Sequence, residues 1–126
     1  MAVMTITYDI SQRFYFEAAH TLDRQIDAAA SKRVHGHTYH AEVTVRGPRD
    51  PVSGMVIDLG LLRRHIERIR EMLDHAMLDD VPGLGPPTLE NLCTFIAEHL
   101  QALRPPVVAV KVWREASGDR CELRIQ

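Results

Sequence analysis

Three of the seven histidines in this 126-residue chain lie within six residues of one another, at positions 35, 37 and 40. His35 and His37 are separated by one residue, so on a β-strand both side chains point to the same side. His20 ends an earlier alternating stretch, on the apolar side of that stretch. If the two strands are neighbours, three imidazoles converge, and three histidines with one open position are typical of catalytic zinc. His40 has the opposite parity from His37 and is excluded from this predicted site.

Spacing alone leaves other interpretations of these histidines open. A single histidine on an apolar strand face is usually a packed core residue, and no His-Glu-x-x-His motif or cysteine cluster accompanies the three. Cys93 and Cys121 form no Cys-x-x-Cys pair and are predicted to be free thiols. A purely structural metal site is a weaker alternative, because structural zinc usually has four protein ligands.

The composition excludes several classes of function. Lys and Arg number 15 against 17 Asp and Glu, and a net charge of −2 gives no support for a nucleic-acid-binding surface. Apolar stretches fall far short of the ~20 residues that span a bilayer, so no membrane partner is expected. The N-terminus lacks the pattern of a signal peptide. We therefore expect a cytoplasmic protein in which residues 1–126 form one domain.

Periodicity predicts the elements that position the histidines. Alternation predicts strands over residues 5–20 and 36–46, and the loop between them has room for a short helical turn. Asp58 and Thr88 are predicted N-caps of two helices. Their apolar stripes are Leu62, Ile66, Ile69 and Leu73 in the first helix, and Leu92, Ile96, Leu100 and Leu103 in the second. Residues 107–115 and a final stretch with Cys121, Leu123 and Ile125 are predicted strands, joined by a hairpin turn at 116–119.

The predicted order is ββααββ, an α+β fold with a four-stranded antiparallel sheet and two helices on one face. The other face and both edges of this sheet stay open. Because unpaired sheet edges promote aggregation, we expect the sheet to continue across subunits of a homo-oligomer.

Five motifs in this order resemble the 6-pyruvoyl tetrahydropterin synthase family, which includes the bacterial 6-carboxytetrahydropterin synthases of queuosine synthesis. They are Phe16–His20 followed by Val34–Tyr39, then Gly54–Asp58, Leu73–His75, Pro87–Leu92 and Val112–Glu115. The resemblance implies the tunnelling fold, in which the sheets of several subunits, commonly six, join into a barrel. It also implies that His20, His35 and His37 hold Zn²⁺ and that the substrate is a pterin such as 7,8-dihydroneopterin triphosphate.

The resemblance also implies roles for five further residues. Asp74 would orient His75, whose ordinary pKa of ~6.5 suits proton transfer at neutral pH. Glu115 would hold the pterin ring, because a carboxylate matches its two-donor edge. Thr88 and Glu90 would also bind substrate. Simpler interpretations exist: a helix cap for Thr88, a first-turn acid for Glu90, and a helix terminus that favours a histidine at His75.

Ser31 departs from the family pattern, which has a catalytic cysteine four residues before the first histidine of the pair. A thiol with a pKa of ~8.5 forms some thiolate near neutral pH, whereas a serine hydroxyl is a much weaker base. The leading hypothesis is a zinc-dependent pterin lyase that rearranges the substrate side chain or cleaves it by a retro-aldol route. The alternative is a pterin- or purine-binding protein that has lost catalysis. Candidate partners for a triphosphate are Arg13, Arg24, Lys32 and Arg33, although the sequence does not place them near the site.

Overall fold

The computed structural model describes residues 4–126, so the first three residues of the predicted domain lie outside the described part. The elements are β1 (Tyr8–His20), α1 (Ala28–Lys32), β2 (His35–Gly47), α2 (Leu59–Leu73), a 3₁₀ turn (Leu78–Asp80), α3 (Leu89–Glu98), β3 (Val107–Arg114) and β4 (Asp119–Arg124). The predicted ββααββ order is confirmed. The short α1 lies in the loop between the first two strands, and the 3₁₀ turn follows α2.

The sheet has the order β1-β2-β3-β4, and each neighbouring pair is antiparallel. β1 and β2 pair along their whole length, from Tyr8 opposite Gly47 to His20 opposite His35. Residues directly opposite each other in an antiparallel pair have Cβ atoms ~5 Å apart. The register therefore brings His20 and His35 together at one end of the sheet.

Helix α2 begins where its sequence predicts and ends at Leu73, before the loop at 81–87 that was expected to stop it. The Asp58 side chain accepts a hydrogen bond from the Gly60 backbone N–H at 2.8 Å, which confirms the predicted N-cap. The apolar stripe from Leu62 to Leu73 is buried, and the helix packs against β1. His75, just beyond the end of the helix, has a left-handed φ of 57°. This turn directs the chain back toward the edge of β1, where the His75 N–H donates to the Glu17 carbonyl at 2.6 Å.

Helix α3 is shorter than predicted. Thr88 caps it by accepting from the Asn91 N–H at 3.1 Å, but the helix ends at Glu98. The chain then continues in i→i+3 turns, in which the Leu100 N–H donates to Ala97 and the Leu103 N–H to Leu100. Both leucines remain buried. The prediction that they extend the stripe of this helix was wrong, because burial persists after the helical hydrogen bonds have ended.

The core lies between the two long helices and one face of the sheet. Tyr39, Ala41 and Val43 of β2 are fully buried there, and α3 packs on β3 and β4. The other face carries polar contacts such as the Arg13–Glu42 ion pair at 2.7 Å. Cys93 and Cys121 are free thiols. Within residues 4–126, every helix is too short or too polar to cross a membrane.

Candidate metal centre

The imidazoles of His20, His35 and His37 converge at the end of the β1–β2 pair. Nε2 of His20 lies 2.9 Å from Nε2 of His35 and 3.1 Å from Nε2 of His37. The nitrogens that these residues offer all lie within 4.8 Å of one another, so the group could hold a metal ion. His40, by contrast, stacks on Trp113 on the opposite face of the sheet, with ring centroids 5.7 Å apart.

Backbone carbonyls orient two of the three rings. Nδ1 of His20 lies 3.1 Å from the Pro87 oxygen, and Nδ1 of His35 lies 2.7 Å from the Arg33 oxygen. A carbonyl only accepts hydrogen bonds, so these contacts favour the tautomer with the proton on Nδ1. Nε2 then presents its lone pair to the centre of the cluster, as a metal-ligating histidine requires.

Burial disfavours the charged forms of His20 and His37. Desolvation lowers the pKa of His20, and it lowers the pKa of His37 to about 4, with the nearby Arg114 guanidinium as the second cause. Neutral imidazoles are suitable ligands for zinc and several other divalent metals. Tetrahedral zinc with Zn–N bonds of ~2.05 Å places its ligand nitrogens ~3.3 Å apart, close to the separations seen here. The donor set therefore fits a metal ion.

Ser31 lies beside the histidines. It is 4% exposed, and its side chain lines the same pocket as all three imidazoles. Helix α1 holds it there, because the Leu22 N–H donates to the Ser31 carbonyl at 2.7 Å. Its hydroxyl donates to the Ala28 carbonyl at 3.0 Å. Position 31 is thus within the site, but its hydroxyl proton is already engaged with the backbone.

Asp74 and His75 form a contact at the end of α2. Nδ1 of His75 lies 3.0 Å from Asp74 Oδ2, and the histidine side chain is 78% exposed. The Glu17 backbone N–H donates to Asp74 Oδ1 at 2.9 Å and is the main cause of the lowered pKa of this carboxyl. Arg70 lies 3.3 Å from the other oxygen. His75 and His37 line one groove, which adjoins the metal pocket through His37.

The structure does not bring Glu115 to the histidines. Glu115 accepts a hydrogen bond from Trp113 Nε1 at 2.8 Å, in a cavity that it shares with Tyr15 and His40 on the opposite face of the sheet. Thr88 caps α3, and its neighbour Pro87 provides the carbonyl beside His20.

The remaining candidate residues differ in how close they lie to the metal pocket. Glu90 is exposed in the first turn of α3. Arg24 lines the metal pocket and lies 3.8 Å from Asp27. Lys32 pairs with Asp23 at 3.5 Å. Of the four basic residues considered for a triphosphate, Arg24 is the one that lines this pocket.

One residue of the pocket was missed by the sequence analysis. Arg114 ends β3, on the side of the sheet where Val110 and Val112 are buried, and Nη1 lies 3.3 Å from His37 Nε2. The signal was present in the sequence. A basic residue occupies the last position of an alternating apolar row, where another valine would be expected.

Comparisons with known proteins agree with this geometry. The family model of 6-pyruvoyl tetrahydropterin synthase matches residues 9–126. The human 6-pyruvoyl tetrahydrobiopterin synthase is 35% identical over 117 residues, which cover 82% of this chain and 81% of the human one. The 6-carboxy-5,6,7,8-tetrahydropterin synthase of Synechocystis sp. is 33% identical over 102 residues, covering 77% and 78%.

A solved structure shows the same fold. The 6-pyruvoyl tetrahydropterin synthase of Caenorhabditis elegans is 23% identical and superposes with a TM-score of 0.82, over 99% of this chain and 100% of the other. The family model covers nearly all of the sequence, and the human relative matches over most of its own length. The chain belongs to the 6-pyruvoyl tetrahydropterin synthase family.

Proposed function

We propose that this protein is a zinc-dependent pterin lyase that acts on the side chain of 7,8-dihydroneopterin triphosphate or a related pterin. The observation that carries the proposal is the convergence of three imidazole Nε2 atoms next to a groove that also contains His75. The human and Synechocystis relatives, both named as pterin synthases, support the choice of substrate class.

His20, His35 and His37 would hold the metal, with the carbonyls beside Nδ1 keeping two of the rings in place. When bound, zinc supplies a Lewis acid that polarises a hydroxyl or carbonyl oxygen of the substrate and acidifies the adjacent C–H. The three ligands are neutral side chains, so the positive charge of the metal is not offset by the residues that bind it.

His75 would move the proton. Its Nδ1 donates to Asp74, which leaves Nε2 as the acceptor for a substrate proton. The Asp74 carboxyl has a lowered pKa and therefore remains an anion that orients the ring. The exposure of His75 makes Nε2 accessible to a substrate in the groove that it shares with His37.

Ser31 would not replace the cysteine as a base, since its hydroxyl donates to Ala28. His75 would then carry out the proton transfers without a thiolate. Cleavage of the side chain by a retro-aldol route needs a metal and one base, and is therefore included in the proposal. The same observation on Ser31 favours a second candidate function, a pterin-binding protein without catalysis.

Glu115, Thr88 and Glu90 remain proposed substrate-binding residues. Within one chain, Glu115 and the three histidines line different cavities. Glu115 would therefore reach a substrate at the metal only if a second copy of the chain supplies it. This requirement agrees with a homo-oligomer joined at the sheet edges. Thr88 and Glu90 follow Pro87, whose carbonyl contacts His20, and this closeness in sequence supports the proposal.

The test is product analysis by mass spectrometry after incubating the zinc-loaded protein with 7,8-dihydroneopterin triphosphate. A new pterin that forms only with zinc is the expected result, and its mass shows whether the side chain was rearranged or cleaved. Unchanged substrate would contradict the lyase. Calorimetry with the same compound would then decide the second candidate, since a binding protein retains affinity without turnover.

A further inference from the structure

Arg114 is an unusual residue for its position. It continues the inward-facing row of β3 after Val110 and Val112, which are fully buried, and its own side chain is only 19% exposed. Arginine is seldom buried without partners, because removing its charge from water costs free energy. The partners of this guanidinium therefore indicate what the position is for.

The polar contacts of Arg114 leave some of its hydrogen-bond donors without an acceptor. Nη2 forms an ion pair with Asp119, and Nη1 donates to His37 Nε2 at 3.3 Å. Nε is buried and has no hydrogen-bond partner in the part of the chain that the structure describes. Arginine carries five N–H donors, and a buried donor without an acceptor is costly. On the side facing the histidines, Nη1 can therefore donate to an additional ligand without breaking the pair between Nη2 and Asp119.

The contact with His37 is incompatible with metal binding by that ring. A metal at the histidines would take the Nε2 lone pair to which Nη1 donates, so Nη1 would lose its acceptor. Nη1 would then need another acceptor. A ligand beside the metal position that offers an oxygen acceptor would provide it.

Charge also favours an anion here. The pocket is lined by the three histidines, which are uncharged ligands, and by Arg24, Arg114 and Asp119. Asp119 pairs with Arg114 and Asp27 lies 3.8 Å from Arg24, so the two positive charges of a divalent metal would be what makes the pocket cationic. Hydrogen bonds from a guanidinium to an oxyanion are among the stronger ones in proteins.

We propose that Arg114 determines ligand specificity by binding an oxyanion, a phosphate or carboxylate group, next to the metal position. This inference deepens the proposed function. It rests on that function, because the same pocket must receive the substrate. It assigns to Arg114 a contact with the side chain of the pterin substrate. A merely structural Arg114 would do no more than hold the β3–β4 turn through Asp119.

Nuclear magnetic resonance of the arginine Nε–H groups tests this directly. Inorganic phosphate and, separately, acetate are titrated into the full chain, both metal-free and loaded with one equivalent of zinc. The Arg114 signal, assigned through its own side-chain carbons, is expected to shift saturably with at least one of the two anions. The Arg114→Lys variant should bind that anion roughly tenfold more weakly or worse, because it loses the planar set of donors. Arg124→Met, which removes one charge from an exposed position of β4, should bind like the unmodified protein.

Each result decides the question. A shift with phosphate alone assigns the position to a phosphate group, a shift with acetate alone to a carboxylate, and a shift with both to either oxyanion. A constant Arg114 signal in both metal states overturns the proposal, as does equal affinity in Arg114→Lys. If that variant does not fold, the titration of the unmodified chain still decides. Neither probe is a pterin, so this result and the failure of pterin turnover are separate findings.

Discussion

His37 and His40 lie on the same strand but on opposite faces, so they form a matched pair of variants. His37→Asn removes one of three converging ligands, and zinc affinity is expected to fall at least ~100-fold, more than removal of an outer-sphere partner usually costs. His40→Asn should leave zinc affinity unchanged, because that ring stacks on Trp113 away from the cluster. Competition with a chromophoric chelator measures both. Equal affinities in the two variants would contradict the assigned ligands.

The low pKa of His37 predicts how the metal-free protein responds to acid. The ring has a pKa of about 4 when folded and 6.5 ordinarily, so between these values the unfolded chain binds the proton more readily. Stability contributed by the neutral ring is complete above pH ~6.5 and is lost as the pH falls toward ~4. The melting temperature should therefore decrease from pH 7 to pH 5, and decrease less in His37→Asn. An identical decrease in both proteins would show that other groups cause it.

Ser31→Cys tests whether the serine is what limits the synthase reaction. A thiol at this buried position beside the histidines would form thiolate more readily than a hydroxyl, particularly with a cation nearby. Turnover of 7,8-dihydroneopterin triphosphate is expected to rise at least about tenfold, since a positioned base typically contributes roughly 10²–10⁴-fold. Ser53→Cys, in an exposed turn, provides the control. No gain in Ser31→Cys would mean that the serine is not the defect.

The alternation of side chains along β1 and β2 was sufficient to predict that His20, His35 and His37 converge and that His40 does not. On a strand, the spacing between two residues alone determines whether their side chains lie on the same face. The face of Arg114 followed from the same alternation, but its role was overlooked because the row was interpreted as apolar. The surroundings of Glu115 were not predictable, because it follows the end of β3, where side-chain direction depends on the contact with Trp113 that alternation does not encode.

At the level of elements, helix beginnings were predictable and one helix end was not. Asp58 and Thr88 cap their helices through local hydrogen bonds that belong to the residue type. The end of α3 is set by a change from i→i+4 to i→i+3 bonds, within a segment whose leucines stay buried. Because burial and helical hydrogen bonding separate there, the hydrophobic stripe overestimated the length of the helix.

Thr88→Ala separates a capping role from a substrate-binding role. Loss of the hydrogen bond to the Asn91 N–H should lower the free energy of unfolding by about 1 kcal/mol. Thr94→Ala, at an exposed position within α3, should not be destabilising. Chemical denaturation measures both variants. An increased KM in Thr88→Ala, with the Thr94 variant unchanged, would support a contact with substrate in addition to the cap, whereas equal stability of the two would contradict the cap.

For the whole molecule, the arrangement of the sheet affects whether one chain or two chains contribute residues to the site. Residues 74–77 cover one part of the β1 edge, where Ala19 pairs with Met77 and the Ala19 N–H donates to Ala76. β4 forms the other edge of the sheet. The cavity with Glu115 and the pocket with the histidines lie on opposite faces of this sheet. If a second copy extends the sheet, the histidines of one chain and Glu115 of the other could contribute to one site.

Mixing two inactive variants tests whether the site is shared between chains. His37→Asn lacks a metal ligand and Glu115→Gln lacks the proposed pterin carboxylate, so each alone should have little activity. If one chain supplies the histidines and another supplies Glu115, hybrids formed by unfolding and refolding the two together contain some intact sites. Activity should then recover to about a quarter of the normal value in randomly mixed pairs, by the logic of symmetric assembly. Light scattering on the same samples should give a mass that is a multiple of 14.3 kDa. An inactive mixture of oligomers, or a monomer with full activity, would place the whole site within a single chain.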